Sequence, residues 1–314
     1  MAENQTLSVS VLEPVGQALG RVKTILFKPF DIEKWFIIGF SAWLATLGQG
    51  GFNFHLPPNR SQIDEPLNRI GDVFQNNLPF IITAVSVGLI IGLALSILIY
   101  WLSSRGRFMF LSCVVRNLAE VKNPWHEFKR RSNSLFVFRI VASIIMFLCM
   151  AILIAPIVIF AVFIYKDSSH MLFSRIAAIT LLSSLTILAL IAFSLLFKFT
   201  TDFVVPIMYL QNISCTTAWR QFLKLLSTNK TNFFLYILVQ ILISIAVSTI
   251  VFIAVILTCC CAACFLIIPY IGTVILLPVL VFTRSYSLYY LRQYGPDFDV
   301  FSPQILTQTA PPPP

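Results

Sequence analysis

Residues 176–197 read IAAITLLSSLTILALIAFSLLF, a run with no charged side chain. Nothing else in the chain limits its possible folds so much. A helix of about 20 apolar residues crosses the roughly 30 Å hydrocarbon core of a bilayer. Backbone groups in lipid must be satisfied within the segment, which selects helices over open strands. Five further stretches have this character: 35–52, 78–102, 135–165, 233–257 and 265–290. The expected fold is therefore an all-α membrane protein with six transmembrane helices arranged as three hairpins. The first stretch is short and ends in GQGG. Pro156 is expected to kink the third, and Pro269 and Pro278 to bend the sixth.

Composition agrees with this reading. Only 11% of the 314 residues are charged and the mean hydropathy is +0.86, whereas soluble domains carry about 25% charged residues. The formal charge of +9 could suggest nucleic acid. Its cations, however, sit between the apolar runs, which points to anionic headgroups and not to a nucleic-acid partner. Loops 1–34, 103–134, 198–232 and 284–314 hold 17 Lys and Arg, against 4 in the opposite set, 51–78, 166–175 and 258–264. The positive-inside rule then puts both termini in the cytoplasm. The first 34 residues are mixed in polarity, unlike a secretory signal, so the first apolar run is expected to be a retained span.

Amphipathic stretches precede the spans. In TAWRQFLKLL, residues 217–226, Ala218, Trp219, Phe222, Leu225 and Leu226 share one helical face, and Arg220, Gln221 and Lys224 share the other. That pattern suits a helix lying at the membrane surface. Trp125 and Phe128 repeat the spacing of Trp219 and Phe222, with Lys129, Arg130 and Arg131 following and Asn123-Pro124 as a helix start. Near the N-terminus, Val15, Ala18, Leu19, Val22, Ile25 and Leu26 recur at helical spacing behind Pro14. Each amphipathic helix with the hairpin after it forms a candidate unit: 11–102, 117–200 and 214–292, within one membrane domain, 1–302. The units are either a true repeat or convergent, since basic surface helices commonly precede spans. The tail 303–314, ending in four prolines, is expected to be disordered.

The segment from Asp202 to Tyr236 joins a polar span end, a proline, a polar link, AW-R-F and a new span. With the closing PYIG…LP…FTRSYSLYYLRQYGPDFDVF, it resembles an uncharacterised bacterial family of six-helix membrane proteins. It is similar to the membrane domain that precedes glycerophosphodiester phosphodiesterases in some bacteria. The resemblance covers roughly the last two thirds of the chain. It implies architecture and not activity; the expected location is the bacterial inner membrane. The metal-binding Glu, Asp and His cluster of that hydrolase has no counterpart in these residues.

Candidate chemistry is sparse. Lys198 and Asp202 stand one turn apart and can pair along a helix. Counting from Ile176 puts Lys198 at the cytoplasmic boundary, where a charge costs less than the roughly 2.5–3.5 kcal/mol of mid-bilayer. The pair either marks the end of the helix or joins Arg105, Arg107 and Arg284, at the ends of even-numbered spans, in a polar cluster. Such a cluster could gate a path or hold a lipid phosphate. Trp125, Arg130, Arg131, Trp219, Arg220 and Lys224 are the candidate headgroup contacts. Cys259, Cys260, Cys261 and Cys264 form CCCAAC. No histidine or second C-x-x-C completes a zinc site there, leaving an outer disulfide or a small apolar turn. Cys113, Cys149 and Cys215 read as packing residues, and His55, His126 and His170 as solvent or headgroup residues. GQGG lacks the lysine and hydroxyl of a phosphate loop. Loop 51–78 could cap the outside with its run Leu67 to Phe74. No metal or cofactor is expected. The functional expectation is a non-enzymatic membrane protein that organises or senses lipid, or assists a partner. A transporter or channel, and more remotely an intramembrane enzyme, are the alternatives.

Overall fold

The computed structural model describes residues 9–47, 78–166, 172–258, 266 and 268–302, and among these the regular structure is helical throughout. Helix α1, Glu13–Val22, opens with Pro14 in its first turn and runs on through a wide turn, Lys23–Phe27. Helix α2, Ile32–Thr46, begins where the Asp31 carboxylate accepts from the amides of Glu33 and Lys34. The long α3, Leu78–Arg116, is followed by the short α4, Lys122–Glu127, and by α5, Lys129–Lys166. Helix α6, Leu172–Phe199, passes through a π turn, Thr200–Val204, into α7, Val205–Gln211. Then come α8, Cys215–Thr228, α9, Lys230–Leu257, α10, Pro269–Ile275, and α11, Leu277–Arg292. Asn117 and Asn212 take left-handed backbone conformations and end α3 and α7, a role that asparagine tolerates better than most residues.

Four helical stretches among the described residues are long and apolar enough to cross a membrane: Ile82–Arg116, Lys129–Val162, Ile176–Gln211 and Lys230–Leu257. Their apolar portions bury almost nothing against protein. Leu89, Phe147, Leu181 and Phe252 all stand open to the surroundings, as helices do when lipid is their solvent. The expected first span is α2, about 22 Å long at 1.5 Å per residue. It packs on the C-terminal third of α3, with Leu44 and Ala45 against Gly106 and the Ser103 hydroxyl donating to the Ala45 carbonyl at 3.2 Å. The expected sixth span is two helices, broken at Leu276, with Pro269 and Pro278 each in a first turn, where proline's missing N–H costs nothing. By contrast α5 continues past Pro156.

Helices α5 and α6 pack side by side, as do α2 and α3. The third pair does not close as a self-contained unit. Helix α10 lies on α2, where the Tyr270 hydroxyl donates to the Phe36 carbonyl at 2.9 Å. Helix α11 packs on α1 and sets Tyr286 and Tyr290 against Tyr236 of α9.

The core sits at one end of the long helices. Phe108, Phe128, Phe203, Phe222, Phe233, Tyr236, Tyr286 and Tyr290 are all fully buried there. Phe203 is central: its ring stacks on Phe222 at 5.2 Å and meets Tyr236 at 4.9 Å and Phe233 at 5.2 Å. The amphipathic helices feed this core. Ala18 and Val22 of α1, and Ala218 and Phe222 of α8, are buried by protein, so the apolar faces expected to meet lipid cover the bundle end instead. The middle amphipathic segment is only the six-residue α4 and starts at Lys122, one residue before Asn123.

Candidate functional site

The π turn prepares the site. Pro206 has no N–H to donate to the Asp202 carbonyl four residues back, so the ordinary helical ladder cannot close there. The chain widens instead, and the Val205 amide reaches the Thr200 carbonyl five residues back. Such single-turn π bulges often mark functional positions. This one buries Asp202 and Phe203 and directs the Thr201 carbonyl and hydroxyl toward arginines of two other helices.

Asp202 is held by polar groups of two helices, α6 and α9. Lys198 approaches its Oδ2 at 3.0 Å, and the Tyr236 hydroxyl donates to the same oxygen at 3.0 Å. Gln240 then donates to the Tyr236 oxygen at 3.1 Å and accepts from the Lys198 ammonium at 3.4 Å. The ring of contacts closes on itself and gives the buried carboxylate both an ion-pair and a hydrogen-bond partner.

Two arginines reach Thr201, the residue before Asp202, and a third lies near the first of them. Arg107 donates through Nη1 to the Thr201 hydroxyl at 2.5 Å, and Arg284 donates through Nη1 to the Thr201 carbonyl. Arg139 donates through Nη1 to the hydroxyls of Ser103 and Ser104 at 3.2 and 3.1 Å, and its guanidinium lies 4.8 Å from the Tyr100 ring centre. Arg107, Arg139 and Arg284 are 3, 2 and 6% exposed, and Arg107 is within electrostatic reach of the other two and of Asp202. Among the described residues none of the three pairs with a carboxylate.

Of the five residues expected to share a polar cluster, the structure brings together Asp202, Lys198, Arg107 and Arg284. Arg105 goes elsewhere. Its guanidinium is sandwiched between Trp101 and Trp125, 4.2 and 4.6 Å from their ring centres. The reason is helical phase: at two residues' separation, Arg105 and Arg107 point to different sides of α3. Arg139, Tyr236 and Gln240 were not among the sequence candidates. The signal for Arg139 was present, as a single cation inside an otherwise apolar span.

The candidate headgroup residues divide in the same way. Arg130, Arg220 and Lys224 are exposed at the core end of the bundle. Arg131 is a cap for α7, its Nε donating to Asn212 at 2.5 Å and its Nη1 to the Tyr209 carbonyl at 3.5 Å. Trp125 packs edge-on against Trp101, and Trp219 stacks on Phe138, so both indoles are engaged with protein. Arg21 does unexpected work, donating to the Val114 and Val115 carbonyls at 2.9 and 2.8 Å and so capping the end of α3. Cys113 and Cys215 are buried and His126 is exposed. Cys259, Cys260, Cys261 and Cys264, His55, His170, residues 51–77 and the tail 303–314 lie outside the described residues.

Lipid-exposed apolar helices joined at one end by an aromatic and arginine-rich core define a helical membrane protein. The chain belongs to DUF7544, a family of unknown function, whose pattern matches residues 9–277. No curated protein and no solved structure matches it.

Proposed function

We propose that this is a non-enzymatic, multi-pass protein of the bacterial inner membrane that organises or senses the anionic leaflet. In this reading both termini are cytoplasmic, and α2 and the α10–α11 pair complete a six-span architecture. The resemblance to the membrane domain that precedes glycerophosphodiester phosphodiesterases is part of the same proposal and extends to architecture alone.

The observation that carries it is the position of the free cations. Arg130, Arg220 and Lys224 are exposed at the core end of the four apolar helices. Each cation near an anionic surface adds about 1 kcal/mol of attraction. The test is to measure phosphatidylglycerol retained by the wild-type protein and by the R130E/R220E/K224E variant after extraction in mild detergent. Retention should fall in the variant. Equal retention, with both proteins folded, rules the reading out.

A transporter would draw support from Asp202 and Arg284 as path-lining groups at the membrane boundary. Both are buried against protein, at 7 and 6% exposure, which favours the first reading.

A further inference from the structure

We infer that Arg107, Arg139 and Arg284 form a binding site for a phosphate group, separate from the exposed cations that meet the leaflet surface. The ligand is either the phosphate of a lipid headgroup or free inorganic phosphate. The inference goes beyond the proposed function and does not depend on it, because it concerns different residues.

Three helices, α3, α5 and α11, each contribute one guanidinium. Each guanidinium spends one nitrogen on a protein hydroxyl or carbonyl. The Nε of all three, and Nη2 of Arg284, are buried without a protein partner. Ser285, next to Arg284 and fully buried, likewise leaves its hydroxyl without one. A buried unmet donor costs about 1–3 kcal/mol and more when charged; the Arg105 Nε is unmet as well, but its guanidinium lies against two indole rings.

Charge points the same way. Among the described residues Asp202 is the carboxylate that acts on Arg107 and Arg284, and it is already engaged by Lys198 and Tyr236. Arg107 is repelled by both other cations, and buried charges carry a penalty of several kcal/mol per ion if unanswered. An anion removes that penalty. Phosphate fits better than carboxylate, because three forks from three helices call for more than two acceptor oxygens. The protein also orients the forks beforehand: Ser103 and Thr201 donate to backbone carbonyls of Ala45 and Phe197 while accepting from the arginines. The height suits a headgroup. Lys198, beside the cluster, lies about 33 Å along the helix from Ile176, close to the thickness of the hydrocarbon core.

The test uses the full chain in mild detergent after exhaustive detergent exchange. Phosphorus per chain and melting temperature are measured with four additives: dioleoylphosphatidylglycerol, oleate, inorganic phosphate and chloride. The wild type is expected to retain a single phosphorus atom per chain, or to be stabilised by a phosphate-bearing additive and not by oleate or chloride. A response to phosphatidylglycerol alone identifies the lipid as the source, and a response to inorganic phosphate identifies the free ion. R139Q should weaken binding by about tenfold or more, the loss of a charge-assisted hydrogen bond. If R139Q does not fold, R139K serves, because it keeps the charge and removes the fork. The R130E/R220E/K224E variant should keep this phosphorus, which separates failure here from failure of the surface reading. Wild-type protein that neither retains phosphorus nor responds to either phosphate-bearing additive overturns the inference. So does an R139Q or R139K protein that binds as the wild type does.

Discussion

The Tyr236 hydroxyl and the Asp202 carboxylate meet at 3.0 Å across 34 residues of sequence. The contact ties the π turn after α6 to the second turn of α9, inside the aromatic core. It is the point where the fold of the membrane helices and the polar site depend on one another. Removing the hydroxyl in Tyr236→Phe leaves the ring packing intact and withdraws a donor from a buried carboxylate, a loss of about 1–3 kcal/mol. Unfolding in detergent should show a lower melting temperature for the variant, and an unchanged one would mean that Lys198 alone suffices for Asp202.

Close packing of α2 on α3 depends on Gly106. A Cβ there would lie 2.4 Å from the Leu44 carbonyl carbon and 2.5 Å from the Ala45 nitrogen. Those are backbone atoms and cannot swing aside. Gly106→Ala should destabilise the protein by about 1–3 kcal/mol through overpacking. Gly88→Ala, in the lipid-exposed part of the same helix with nothing within 4 Å, is the control. It should be neutral or stabilising by up to about 1 kcal/mol. Equal melting temperatures for the two variants would show that α2 does not sit against Gly106.

Burial pushes the Cys215 thiol up to about 12 from its ordinary value. Thiolate is the reactive form, so maleimide at pH 8 should leave Cys215 unmodified until denaturant is added. The sign for stability follows. Below the unfolded value near 9 both states keep the proton. Between that value and about 12 the unfolded chain gives it up and the folded chain does not, so stability falls as pH rises through this window. Cys215→Ala should flatten that part of the melting-temperature profile, and an unaltered slope would contradict the assignment.

Arg105, held between Trp101 and Trp125, provides a control for the phosphate site. Arg105→Gln should lower stability by up to about 2 kcal/mol through loss of cation–π contact. It should leave the phosphorus content unchanged, because the side chain points away from the other arginines. A loss of phosphorus equal to that in R139Q would mean that the site is larger than three residues.

Orientation can be read by chemistry. Cysteines introduced at exposed positions, R130C and R220C, should react with a membrane-impermeant maleimide in inverted vesicles and not in intact cells. Labelling from outside intact cells would reverse the topology.

Much of this protein could be read directly from its sequence. The uncharged runs within 78–102, 135–165, 176–197 and 233–257 required long helices in lipid, because nothing else satisfies so many backbone groups without water. The Lys198–Asp202 pair followed from one-turn spacing, and an irregular sixth span from its two prolines, the break itself falling at Leu276. These are local rules, and local sequence carries them. Tertiary structure alone decided which arginines would be neighbours. Arg105 and Arg107 are two residues apart and face different partners. Tyr236 and Arg284 come from distant helices and meet Asp202 and Thr201, while Arg139, from a third, comes within electrostatic reach of Arg107. That outcome depends on how helices rotate and lean against one another, and the aromatic packing of Phe203, Tyr236 and Tyr286 sets it through contacts that no single stretch of chain contains.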